Sequence, residues 1–143
     1  MKEDFNYKDI PVNYLHCLSS ECPRSSGCLR FQVALHIKHD TPAFSIVNPA
    51  YVATHQECPF YRPNRLTHFA LGMKHLFDNI PYAKALKIRN TLYQHFERSM
   101  YYRIRNKARL ITPKEQAFIK RVFHKEGIEE EPVFDEYVDR YDW

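Results

Sequence analysis

The 143 residues are 44% hydrophobic and 15% aromatic, enough for a packed core in one domain-sized chain, which argues against disorder and against two independent domains. The three glycines, Gly27, Gly72 and Gly127, stand too far apart for a P-loop or a G-x-G-x-x-G turn, which excludes the enzymes that cradle phosphates that way. The net charge of +4 hides a sharp division, +1 over residues 1–83, +10 over 84–125 and −7 over 126–143, so charge patterning is a stronger clue than the total.

The chain opens on the charged stretch MKEDFNYKDI and holds no apolar run near 18 residues, so a cytoplasmic protein without a membrane partner is expected. Residues 1–65 are broken by Pro11, Pro23, Pro42, Pro49, Pro59 and Pro63 and read as a loop-rich module. Inside it Leu29, Val33 and Ile37 predict a helix of about three turns after Cys28, and Ala43–Val47 predicts a short strand.

The module carries every cysteine of the chain: Cys17, Cys22, Cys28 and Cys58, spaced C-x4-C-x5-C with the fourth 30 positions on. In a chain with no secretion signal, four such thiols point to metal before disulfides, because the cytosol keeps ordinary thiols reduced. Four thiolates complete a closed tetrahedral shell for zinc, the preferred metal here, and equally supply the terminal ligands of an iron–sulfur cluster, the alternative. The tight C-x2-C pairs of a zinc ribbon are absent, and ordinary buried thiols or a disulfide pair are the competing readings. His16 beside Cys17 and His55 in H-x2-C with Cys58 leave a mixed ligand set open.

In the second part, residues 66–128, Leu66, Phe69, Ala70, Met73, Leu76 and Phe77 recur at spacings of three and four and predict an amphipathic helix ending near Asn79. Pro81 suits the first turn of the next helix, with Ala85, Ile88, Leu92 and Phe96 as its buried stripe and its end near Tyr102. Thr112-Pro113-Lys114-Glu115 is a capping box with proline at the first helical position, and Gly127 is the stop of the helix it opens. The acidic tail, 129–143, places Phe134, Tyr137, Val138 and Tyr141 on one helical face. It is expected to dock its aromatics on its own protein while some carboxylates approach the basic region. The predicted architecture is a single, mainly α domain of three to four helices behind the cysteine module, with at most a short strand pair.

The strings HCLSSECPRSSGCLR at 16–30, NPAYVATHQECPF at 48–60, GMKHLFDNIPY at 72–82 and ITPKEQAFIKRVFHKEGIEEEPVFDEY at 111–137 resemble a family of small bacterial proteins of unknown function. The resemblance covers nearly the whole chain. It implies that the four cysteines and the helical back half form one recurring unit, and it implies no activity or catalytic residue.

No H-E-x-x-H or G-x-S-x-G is present, and His36 and His39 at i,i+3 read as a solvated helix end. A binding role is therefore expected in place of catalysis. Tyr93, Tyr101 and Tyr102 lie among Lys84, Lys87, Arg89, Arg98, Arg103, Arg105, Lys107 and Arg109, a mixture that stacks on bases and neutralises phosphates. An acidic protein partner on the same basic groove is the second reading, and an iron–sulfur redox or sensor protein the third.

Overall fold

The computed structural model describes residues 5, 7–53 and 57–143. The chain divides into two compact units, Met1–Leu66 with Tyr141–Trp143, and Thr67–Arg140.

The first unit is mostly turns, with two short helices, α1 (Leu29–Ala34) and α2 (Pro49–Ala53). Its core is small: Tyr14, Leu29 and Val33 are buried, with Phe5, Tyr7, Ile10, Tyr141 and Trp143 packed around them. Helix α1 is shorter than its apolar spacing predicts. Past Ala34 the bonds tighten, His36 N–H donating to the Val33 carbonyl and Ile37 N–H to that of Ala34. Three-residue closures of this kind run only briefly. The strand predicted at Ala43–Val47 reduces to one parallel bridge, His16 to Ile46, secured by His16 N–H to the Ser45 carbonyl and Val47 N–H to the His16 carbonyl, each 2.8 Å.

In the second unit the mainly α prediction fails: the protein is 39% helix and 13% strand, with a three-stranded antiparallel sheet in which Leu66–Leu71 lies between Leu110–Ile111 and Glu136–Tyr141. The predicted helix over 66–79 is instead strand β1 (Leu66–Leu71), which ends at Gly72. Gly72 has a φ of +82°, and a Cβ there would stand 2.4 Å from Asp135 Oδ2, so backbone handedness and close approach both require glycine. Strand β1 pairs antiparallel with β2 (Leu110–Ile111), Ala70 opposite Ile111 and Leu71 opposite Leu110. The tail is likewise strand β3 (Glu136–Tyr141), where a helix was predicted. Tyr137 and Asp139, two apart, both meet His68: the rings stack at 4.9 Å and the carboxylate lies 2.8 Å from Nδ1. Two-residue spacing returns to one face only on a strand.

The helix predicted from Pro81 to about Tyr102 is two, α3 (Tyr82–Phe96) and α4 (Arg98–Arg105), separated at Glu97 with φ +61°. On one straight helix Tyr101 would point about 140° away from Phe96. The break re-aims α4, so that Ile88, Leu92, Phe96, Tyr101 and Ile104 enter one core with Met73, Leu76, Ile111, Ile119 and Phe123.

Helix α5 (Pro113–Lys125) follows its sequence signals closely. Thr112 Oγ1 accepts from Glu115 N–H at 3.3 Å, and the Glu115 carboxylate accepts from Thr112 N–H at 2.8 Å. Gly127, at φ +70°, donates to His124 and Ile128 donates back to Phe123, which closes the C-terminus. Burial pushes the Glu115 carboxyl up, but hydrogen bonds from Arg109 and Thr112 outweigh it and hold the group below its ordinary value of 4.5. The stability this provides is present above that value and lost as pH falls through the depressed folded value. Thr112→Ala is expected to cost about 1 kcal/mol in urea denaturation. Glu115→Gln should flatten the acid limb of the stability–pH curve, and an unchanged limb would show that the carboxylate contributes nothing there.

Candidate functional site

The four cysteines sit on turns that the backbone ties together. Cys22 N–H bonds to Ser19, Ser25 N–H to Cys22 and Cys28 N–H to Ser25, so successive tight turns carry the chain between the second and third cysteines. Cys28 bridges to Pro63, and Leu29 N–H reaches the Arg62 carbonyl at 2.7 Å, which draws in the stretch holding Cys58. Cys17 N–H bonds to the Arg30 carbonyl. Cys17, Cys22, Cys28 and Cys58 consequently line one cavity of about 20 Å³, with Arg24, Phe31, Val52 and Tyr61 also in its wall. That volume is about one water-sized sphere. Cys28 is buried and the others half-buried, and none is in a disulfide. Cys22 and Cys58 also border an open groove of about 690 Å³, a path by which a solute reaches them. Among the described residues no group of three or more His, Cys, Asp or Glu side chains is already arranged to hold a metal ion.

His16 is not free to join the thiols. Its Nε2 lies 2.9 Å from Tyr7 Oη and its Nδ1 3.3 Å from the Ser45 carbonyl, so the neutral ring protonated at Nδ1 satisfies both. His55 lies outside the described residues.

Arg30, which the sequence reading passed over, holds the module together. It is only 9% exposed, yet Nε donates to the Phe60 carbonyl at 2.8 Å and Nη1 to the Leu15 carbonyl at 2.7 Å. Its guanidinium lies 4.6 Å over the Tyr14 ring. One side chain thus fastens the stretches bearing Cys17 and Cys58 to the helix that follows Cys28. Tyr61 adds a second tie, donating to the Gly27 carbonyl at 3.0 Å beneath the Arg24 guanidinium. Neither was legible beforehand: no motif marks an arginine two residues after a cysteine or a tyrosine three after one, and their acceptors are carbonyls 15, 30 and 34 residues away.

The basic segment lies in the second unit, and the structure splits the predicted set. Tyr101 is 2% exposed, and burial pushes its phenol up to about 12, so it belongs to the core. Lys84 donates to the Gly127 carbonyl, Lys107 pairs with Glu136 and Arg109 pairs with Glu115 at 2.8 Å. Lys87 stands 4.0 Å from Glu126, and Lys120, outside the predicted set, is paired with Glu131. The tail does bring its carboxylates back to basic residues, and Phe134 is buried. Arg89, Arg98, Tyr102, Arg103 and Arg105 are what remains, with no ion pair among the described residues.

Among the described residues no helix is long and apolar enough to cross a membrane. No curated protein and no solved structure matches the chain. The model of a family of unknown function, DUF6078, matches residues 1–143, and with the cysteine turns and the helical unit both inside that span, the chain belongs to this family.

Proposed function

We propose that this chain is a non-catalytic, metal-stabilised binding protein: Cys17, Cys22, Cys28 and Cys58 hold one zinc ion, and the helical unit binds nucleic acid through α3 and α4. The observation that carries the metal is the shared cavity, lined by Cys17, Cys22 and Cys28 from one stretch of chain and Cys58 from another, around a space for a single ion. Four thiolates around one zinc at about 2.3 Å need little more room than this cavity offers, whereas an iron–sulfur cluster needs several times as much. The small core of the first unit supports a structural role, since metal binding supplies folding free energy where apolar burial is scarce. Thiols kept reduced for such a site fit the cytoplasm.

The test is metal content and a visible spectrum on protein purified without oxygen. About one zinc per chain and no colour is expected. Iron with sulfide and broad absorbance would replace zinc by a cluster, and four titratable thiols with no metal would overturn the proposal.

A further inference from the structure

Two cations with no ion pair among the described residues, Arg89 and Arg98, lie beside tyrosines. Arg89 and Tyr93 are four apart on α3, and Arg98 and Tyr102 are four apart on α4, so each pair shares a helix face. The break at Glu97 turns those faces together, and Tyr93 Oη and Tyr102 Oη meet at 3.1 Å. Tyr93 packs edge-on against buried Tyr101 at 4.6 Å, which anchors the pair to the core. Tyr102 is the outer member, 39% exposed. The Arg89 guanidinium lies 6.0 Å over the Tyr93 ring, and its Nε is shut off from solvent with no acceptor among the described residues.

Beside the tyrosines' own mutual influence, guanidinium groups act on these phenols: Arg89 and Arg98 on Tyr93 and Tyr102, Arg89 and Arg105 on Tyr101. The hydrogen bond shared with Tyr93, with a smaller contribution from Arg98, draws the Tyr102 phenol below its ordinary value of 10, and the same bond pushes Tyr93 up. The shared hydroxyl contact ties the Tyr102 ring to Tyr93.

We infer that Arg89, Tyr93, Arg98 and Tyr102 form a site for single-stranded nucleic acid, in which Tyr102 is the platform for an unpaired base and the arginines take the flanking phosphates. The inference rests on the nucleic-acid reading above and names its ligand. Two observations carry it: guanidinium charge without a carboxylate partner among the described residues, and an exposed ring fixed by its neighbours. Unpaired cations favour a polyanion. The fixed ring selects the unpaired form, because each base in a duplex already has both faces covered, whereas a single strand offers a π-face to an aromatic side chain. An acidic peptide would use the arginines and leave the ring idle.

The experiment is fluorescence anisotropy of the full chain with labelled oligo(dT), with the same strand annealed to oligo(dA), and with polyglutamate, over a salt series. The unmutated protein is expected to prefer the single strand. Tyr102→Leu should weaken that binding about tenfold or more, and Tyr102→Phe should keep most of it. Arg98→Ala should lower affinity and reduce the salt slope by about one. Circular dichroism melting of each variant separates lost binding from lost folding. Equal binding of both DNA forms with Tyr102→Leu unaffected would overturn the single-strand site and leave the broader nucleic-acid reading standing. No binding of either form would remove both, and binding of polyglutamate alone would assign the surface to an acidic protein.

Discussion

Cys28→Ser is expected to abolish metal binding and unfold the first unit while α3, α4 and α5 stay folded. In the proposed site, serine replaces one of the four sulfur ligands by a hydroxyl, a far weaker ligand for zinc. Structural zinc sites contribute apparent free energies on the order of 10–16 kcal/mol, which exceeds what the small core around Tyr14, Leu29 and Val33 can replace. Residue-resolved hydrogen exchange is the direct measurement: protection should vanish over the turns from Tyr14 to Tyr61 and persist in the second unit. Because Cys28 is also buried, a chelator added to the unmutated protein serves as the control, since it removes metal without disturbing packing. Full protection in both experiments would mean that the thiols carry no structural metal.

The second large effect is expected at Arg30. Arg30→Ala deletes charge-assisted hydrogen bonds to the carbonyls of half-buried Phe60 and Leu15 and the cation over Tyr14. Such bonds contribute about 1.5–3 kcal/mol apiece, so a loss of about 3–5 kcal/mol in urea denaturation is expected for the first unit. Arg30→Lys should recover only part, because an ammonium is a point donor that cannot span two carbonyls as the guanidinium fork does. Metal affinity should fall in the same order, since Arg30 positions the stretches bearing Cys17 and Cys58. A loss in Arg30→Ala below about 0.5 kcal/mol, the range of an ordinary surface substitution, would refute the clamp.

Helix α5 was fully legible because all its signals are local: Thr112, Pro113, Glu115 and Gly127 act within one turn of each helix end. The cysteines were legible as a group because their number and confinement to 58 residues restrict what they can do; in the structure they border one cavity, without being arranged to hold a metal ion. Residues 66–77 misled because Phe69 and Ala70 from a strand, with Met73 and Leu76 from the turns after Gly72, sum to a helical period that no single element owns. The basic segment was read correctly as a charge excess but not as a surface. Tyr101 turned into the core, and Lys84, Lys107 and Arg109 found partners on the chain's own Gly127, Glu136 and Glu115.

By itself the sequence determined the cysteine set, the capped helix α5, the start of α3 and the −7 counter-charge to a +10 segment, all properties of composition or of neighbours along the chain. Only the tertiary structure decided that β1 pairs with β2 some 40 residues on, that Glu97 breaks one helix into two, and that Arg89 and Arg98, with no ion pair among the described residues, flank the joined Tyr93 and Tyr102. The physical reason is the range of the interaction. A helix satisfies its hydrogen bonds within four residues, whereas strand pairing, the forked contacts of Arg30 and the neutralisation of each cation depend on groups that only folding brings near.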